Sequence, residues 1–290
     1  MVSNASMADA MGSLGHKLAL QLACTSARWL TAPACTHPVE VMGLRFASKL
    51  GIAAGFDRFG RLARRAGSLG LGFNEIGSLD YGAIAQLSAQ AHSPGTARLG
   101  INLSLAPDIS LGTLRGSLAR AWPLADYLML NLIGPGSAAL LSTAQRPRLR
   151  QLLAAARSEQ RRLNESGRRV PLAVKLRCLP GQVPLALAEL LLELGYDGLL
   201  AAHDPGPPAT RQRYRAWQDA AQQAQACAQI EQLRRLCGRQ IALMSVGGIQ
   251  SAEHLQTRLA AGAELVQVHS VLLHGWPWNV QRLLAVRRPA

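Results

Sequence analysis

Lysine is nearly absent from this chain. Of its 31 basic side chains only Lys17, Lys49 and Lys175 are lysines; the other 28 are arginines, set against 17 acids, for a formal charge of +14 over 290 residues. Aromatic residues are scarce as well, at 4% of the chain, with four Phe and four Tyr. That leaves few rings on which nucleic-acid bases could stack, and the arginines are scattered over expected helix surfaces. The densest run, RPRLRQLLAAARSEQRRLNESGRR at 146–169, reads as an amphipathic helix with a solvated basic outer face. No nucleic-acid partner is expected. Apolar runs long enough to cross a bilayer are missing. Cys24, Cys35, Cys178, Cys227 and Cys237 are odd in number and show no C-x-x-C or zinc spacing. Reduced thiols in a cytoplasm fit them best, and no metal is expected.

What is present is a large apolar content, 49% against 17% charged, enough to bury a sizeable core. Short apolar runs ending in turn residues recur eight times: KLGIAAG (49–55), GFNEIGS (72–78), ARLGINLS (97–104), DYLMLNLIG (126–134), PLAVKLR (171–177), DGLLAAHD (197–204), IALMSVGG (241–248) and ELVQVHS (264–270). Each has the length of a buried strand, and helix-period leucines and alanines fill the segments between. Eight strand-plus-helix units predict a parallel sheet closed into a (β/α)8 TIM barrel. A doubly wound open sheet is the alternative, but no glycine-rich dinucleotide turn follows the first strand. VEVMGLRFASK (39–49) alternates and turns at Gly43, as a hairpin plugging the barrel bottom would. The start lacks the basic region and long apolar core of a signal peptide, and an amphipathic helix is predicted from about His16 to Leu30. The expected division is an N-terminal helical extension over 1–36 and a barrel over 37–290.

Barrel chemistry sits at the carboxyl ends of the strands. Those ends are Ala53, Ala54 and Gly55 with Arg58, then Ser78, Asn102, Asn131, Lys175, His203 with Asp204, Gly247 with Gly248, and His269 with Ser270. Gly247-Gly248 before the helix start at Ser251 suits an anion cradle, or simply a tight turn. Lys175 lies inside an apolar strand, where a charge is costly, so it either stabilises negative charge on a ligand or reaches out to solvent. Asn102 and Asn131 offer paired donors and acceptors for the edge of a flat heteroaromatic ring, or serve as local turn caps.

With GLRFASKLGIAAGFDRFG, GINLS, ADYLMLNL, VPLAVKL, SVGGIQSAEH and AGAELVQVHS in this order, the chain resembles the dihydroorotate dehydrogenase family, nearest its class-2, quinone-linked branch, from about Pro38 to Leu284. The resemblance implies bound FMN. Ala53, Ala54, Gly55, Ser78, Asn102, Asn131 and Lys175 would contact the flavin ring, and Gly247, Gly248, His269 and Ser270 would stand at its phosphate. Arg58 and Asn131 would face a small-molecule substrate. The predicted N-terminal helix would serve a quinone entrance or a membrane surface, or would merely cap the barrel. The implied location is cytoplasmic, at the periphery of the inner membrane if that helix binds lipid.

The resemblance fails where the substrate would be handled. After the fourth strand the family runs Asn-x-Ser-Ser-Pro-Asn, its second serine acting as base; here NLIGPGS puts Gly134 at that serine and Gly136 at the asparagine. The family's Asn-Arg-Met-Gly-Phe substrate segment has no counterpart, and its Thr-Asn-Thr after the sixth strand becomes Ala202-His203-Asp204. The glycine-rich loop before the next helix is missing too. The expectation is an FMN-dependent oxidoreductase acting on CH–CH groups of another substrate, with Lys175, His203 and Asp204 as the candidate catalytic residues. Ordinary oxidation of dihydroorotate to orotate in pyrimidine biosynthesis, with Ser137 or water as base, is one alternative. A non-catalytic flavin-binding paralogue is the other.

Overall fold

The structure, a computed structural model, describes residues 4–31, 38–203, 209–274 and 279–284. Strands β1 (Val39–Val41) and β2 (Leu44–Phe46) form an antiparallel hairpin turning at Met42-Gly43. Eight parallel strands follow: β3 (Leu50–Ile52), β4 (Phe73–Leu79), β5 (Arg98–Ser104), β6 (Tyr127–Asn131), β7 (Leu172–Arg177), β8 (Gly198–Ala202), β9 (Ala242–Val246) and β10 (Leu265–Val268). They run in sequence order, and β10 pairs with β3, Val266 opposite Leu50, to close a barrel. All eight predicted strands are present.

Helix α1 (Asn4–Trp29) precedes the hairpin. It begins well before the expected His16. The boundary expected near residue 36 falls in 32–37, outside the described residues. Around the barrel run α2 (Leu111–Ala121), α3 (Arg146–Asn164), α4 (Leu185–Leu194), α5 (Arg211–Ala216), α6 (Ala220–Cys237), α7 (Ala252–Ala260), α8 (Ser270–His274) and α9 (Asn279–Leu284). After β3 and β4 there are only 3-10 turns, at Ala63–Leu69, Ala83–Gln86 and Ala89–His92. The first of those connections carries Gly55, Gly60, Gly67, Gly70 and Gly72, which disfavour a longer helix there.

Helix α3 shows why the chain needs so many arginines. Leu149, Leu152, Leu153 and Ala156 repeat at helical spacing and are buried against the sheet. Its polar face is stapled to its neighbours: Arg157 pairs with Asp197 at 2.7 Å, Arg150 with Glu193 at 2.9 Å, and Arg148 donates to the Ile109 carbonyl at 2.5 Å. The basic run is a set of local fastenings on the outer wall.

Inside the barrel, side chains stack in layers. At the bottom, the fully buried Phe46 of the hairpin meets Phe73 edge-on at 5.6 Å, with Tyr127 at 6.5 Å. Burying such a ring contributes about 2–3 kcal/mol. Gly100 makes the space for Tyr127, since a Cβ there would stand 2.2 Å from the tyrosine ring. Because side chains alternate along a strand, Glu75, Asn102, Asn131, Lys175 and Gln267 point to the same interior and form the layers above.

Candidate functional site at the carboxyl mouth of the barrel

The middle layer is organised by Glu75. This fully buried carboxylate accepts hydrogen bonds from Asn102 Nδ2 at 2.8 Å, Tyr127 O–H at 3.1 Å and Gln267 Nε2 at 2.8 Å. Burial, then the adjacent Glu75, push the Tyr127 hydroxyl well above the ordinary range for tyrosine, so it stays protonated and donates. Asn102 Oδ1 accepts from Ser78 Oγ at 2.5 Å, and Ser78 Oγ accepts from Asn131 Nδ2 at 2.6 Å. Four side chains from β4, β5 and β6 thus form one continuous chain from the core to the mouth. Asn131 lies opposite Lys175 in the β6–β7 ladder, and Lys175 is only 8% exposed.

The loop after β3 forms one lip. Its Asp57 is fully buried and accepts from the backbone N–H groups of Arg61, Leu62 and Ala63 and from Asn74, which fixes the turn that carries Ala54 and Gly55. Arg58 is exposed, its guanidinium 5.4 Å from the Phe59 ring. Above this lip α1 delivers His16, whose Nε2 donates to the Phe56 carbonyl at 2.7 Å and whose ring stacks on Phe56. His269, after β10, stands 6.1 Å from His16 and lies against Gly55. Burial, then the nearby His16 and Lys175, push His269 down to about 4, so it is neutral at physiological pH.

On the next side, the loop after β6 is open. A Cβ at Gly136 would meet nothing, and one at Gly134 would touch only Ser137 Oγ and Asn131 Nδ2 at ordinary contact distances. Ser137 is buried, and its hydroxyl donates to the carbonyls of Leu105 (2.6 Å) and Asn131 (3.0 Å).

His203 lies on the other side of the sheet wall. It follows Ala202, whose side chain packs in the interior, and so points outward between the sheet and α6. Its Nδ1 donates to Gln229 Oε1 at 2.6 Å and its Nε2 accepts from Ser245 Oγ at 3.1 Å, so both ring nitrogens are engaged. Burial, and secondarily Arg258, push it down to about 3. The structure therefore separates His203 from Lys175 and the two asparagines. Asp204 lies outside the described residues.

Arg258 is the largest fully buried side chain of the described residues, although arginines on these helices were expected on the surface. It donates to Gln223 Oε1 at 3.0 Å and Ser245 Oγ at 3.3 Å, beneath the turn at Gly247-Gly248. Burial lowers it to about 10, which leaves it charged at neutral pH. Ser251 caps α7 as expected, accepting from the His254 N–H at 3.1 Å. Sequence reasoning passed over Glu75, Gln267, Trp217, Gln223 and Arg258. Strand parity could have placed Glu75 and Gln267 inside; no local pattern distinguishes Trp217 or Arg258 from surface residues of their helices.

A closed parallel barrel with an acid, amides and one lysine layered toward the carboxyl mouth defines a TIM barrel, a fold that builds its ligand sites at that end. Among known proteins, the dihydroorotate dehydrogenase (quinone) of Kocuria rhizophila is 30% identical, the match covering 96% of this chain and 92% of that protein. The corresponding protein of Halorhodospira halophila is 29% identical over 95% of this chain and 93% of its own length. Crystal structures of dihydroorotate dehydrogenase from Eimeria tenella, one in complex with ferulenol and one ligand-free, superpose with TM-scores of 0.74 and 0.72 at 22% identity, covering 93% of this chain and 89% and 92% of theirs. No protein-family model matches the chain. The chain belongs to the quinone-type dihydroorotate dehydrogenase family, as a distant member.

Proposed function

We propose that this protein is a flavin-dependent oxidoreductase of that family whose substrate is something other than dihydroorotate. The observation that carries the reading is the polar layer at the mouth: Ser78, Asn102, Asn131 and the buried Lys175 arrive from four consecutive strands on one interior face. That donor set suits the ring of FMN, the family's cofactor, and beside it a Cβ on Gly136 in the loop after β6 would meet nothing within 4 Å. When bound, the flavin supplies a two-electron acceptor for carbon–carbon bond oxidation. Lys175 would hold negative charge at the ring's polar edge, the asparagines would orient it, and Ala53, Ala54, Gly55 and His269 would border it. Ser270 would stand at its phosphate end. Arg58 and Asn131 would face the substrate.

Among the described residues, no base stands in the loop after β6 where the family has its serine. Gly134 and Gly136 have no proton acceptor, Ser137 spends its hydroxyl on two carbonyls, and His203 is neutral on the far side of the sheet. We therefore assign no proton transfer to His203. Loss of a positioned base slows proton abstraction about 10²–10⁴-fold. α1 presents Leu14, Leu18 and Trp29 to the outside, apolar side chains that would suit a quinone entrance or a membrane surface.

The test is an anaerobic titration of the flavin-reconstituted protein. Dihydroorotate is expected to bleach the flavin at least about 100-fold more slowly than it does in a relative that has the serine base. Bleaching at the relative's rate would restore the ordinary dehydrogenase reaction as the function.

A further inference from the structure

The phosphate end of the site does not match its ring end. The turn after β9 has the backbone expected of a ligand cradle, Gly247 and Gly248 both at positive φ (113° and 79°), where a missing Cβ lets another group come close. At Gly248 the group that comes close is the indole of Trp217. A Cβ built on Gly248 would lie 2.2, 2.5 and 2.8 Å from three atoms of that ring, and Trp217 is only 9% exposed. The indole rests directly on the turn.

Trp217 is held there from several directions. Gln223 Nε2 donates to the carbonyls of both Trp217 (2.8 Å) and Gly248 (2.7 Å), tying the Trp217 backbone to the turn. The Arg258 guanidinium stands 5.9 Å from the indole centroid. One turn earlier, the Tyr214 carbonyl accepts from Gln250 Nε2, and the Tyr214 ring packs on His274 of α8 at 5.1 Å. His274 Nε2 in turn donates to the Ala209 carbonyl at 3.0 Å. Helix α5 with Trp217 is therefore a strap laid across the loops after β9 and β10, fastened at both.

We propose that this strap closes the cradle to a phosphate, so that the barrel recognises a flavin by its ring alone and binds riboflavin and FMN with similar affinity. The inference rests on the ring site of the proposed function. It makes flavin an exchangeable ligand of this protein, and it makes Trp217 the residue that sets the selectivity between phosphorylated and unphosphorylated flavins.

The experiment is a fluorescence-quenching titration of the flavin-stripped protein with riboflavin and, separately, with FMN. An anion gripped by charge-assisted hydrogen bonds would favour FMN on the order of 100-fold; a closed cradle gives dissociation constants within about threefold of each other. In Trp217→Gly, FMN affinity is expected to rise at least about tenfold while riboflavin affinity stays unchanged. Trp217→Leu, which keeps an apolar plug of smaller size, should fall between. A wild-type preference for FMN of about tenfold or more, or FMN retained through dialysis at one per chain, would overturn the closed cradle and leave the ring site standing. Failure to bind either flavin would overturn both.

Discussion

Two buried side chains show what single residues contribute here. Glu75 gathers three donors, and removing its carboxylate would leave Asn102, Tyr127 and Gln267 without their shared acceptor in a dry interior. Glu75→Ala is expected to lower unfolding free energy by about 3 kcal/mol in urea titration; a loss below about 1 kcal/mol would mean the layer repacks freely. His203 links stability to pH. Its folded value of about 3 lies below its ordinary 6.5, so the unfolded chain binds the proton more readily between those limits. Stability then rises with pH across the window, and the His203 share, at most ~5 kcal/mol, is lost as pH falls from 6.5 toward 3. His269 adds the same sign between 6.5 and about 4. Melting temperatures should drop on acidification from pH 7 to 4, and His203→Gln should flatten that slope; an unchanged slope would show that the ring is not held neutral. Neither role was legible beforehand. A lone glutamate in FNEIGS carries no pattern except its parity with Phe73, and His203 looked available because its partners, Gln229 and Ser245, are 26 and 42 residues away.

Elements were far easier to read than side-chain partners. The barrel strands read as short, largely apolar runs because both faces are covered, and the turn residues behind each mark its end. The hairpin announced itself by alternation around Gly43. The length of α1 was missed although Met7, Met11 and Leu14 carry the helical spacing back from Leu18; the alanines, serines and Gly12 between them dilute it. Two outcomes test these elements. Phe46→Ala, which would empty the aromatic plug, should cost about 3–5 kcal/mol. For α1, co-sedimentation with anionic vesicles is expected for the wild type and lost in a variant carrying Leu14→Glu, Leu18→Glu and Trp29→Glu; equal binding by both would place any membrane contact elsewhere.

At the scale of the molecule, many arginines are engaged locally, on carboxylates (Arg64, Arg150, Arg157) and on carbonyl groups (Arg148, Arg168, Arg234), as along α3. The four described cysteines form no disulfide, and among the described residues no helix is long and apolar enough to cross a membrane. Melting should accordingly be the same with and without reductant. One further property follows from the seam where β10 pairs with β3, Val266 to Val268 against Leu50 to Ile52. The first barrel strand waits for the last. Until the ribosome has released residue 268, a nascent chain can hold only an open sheet with two bare edges, the kind of surface on which unfinished chains stick to one another.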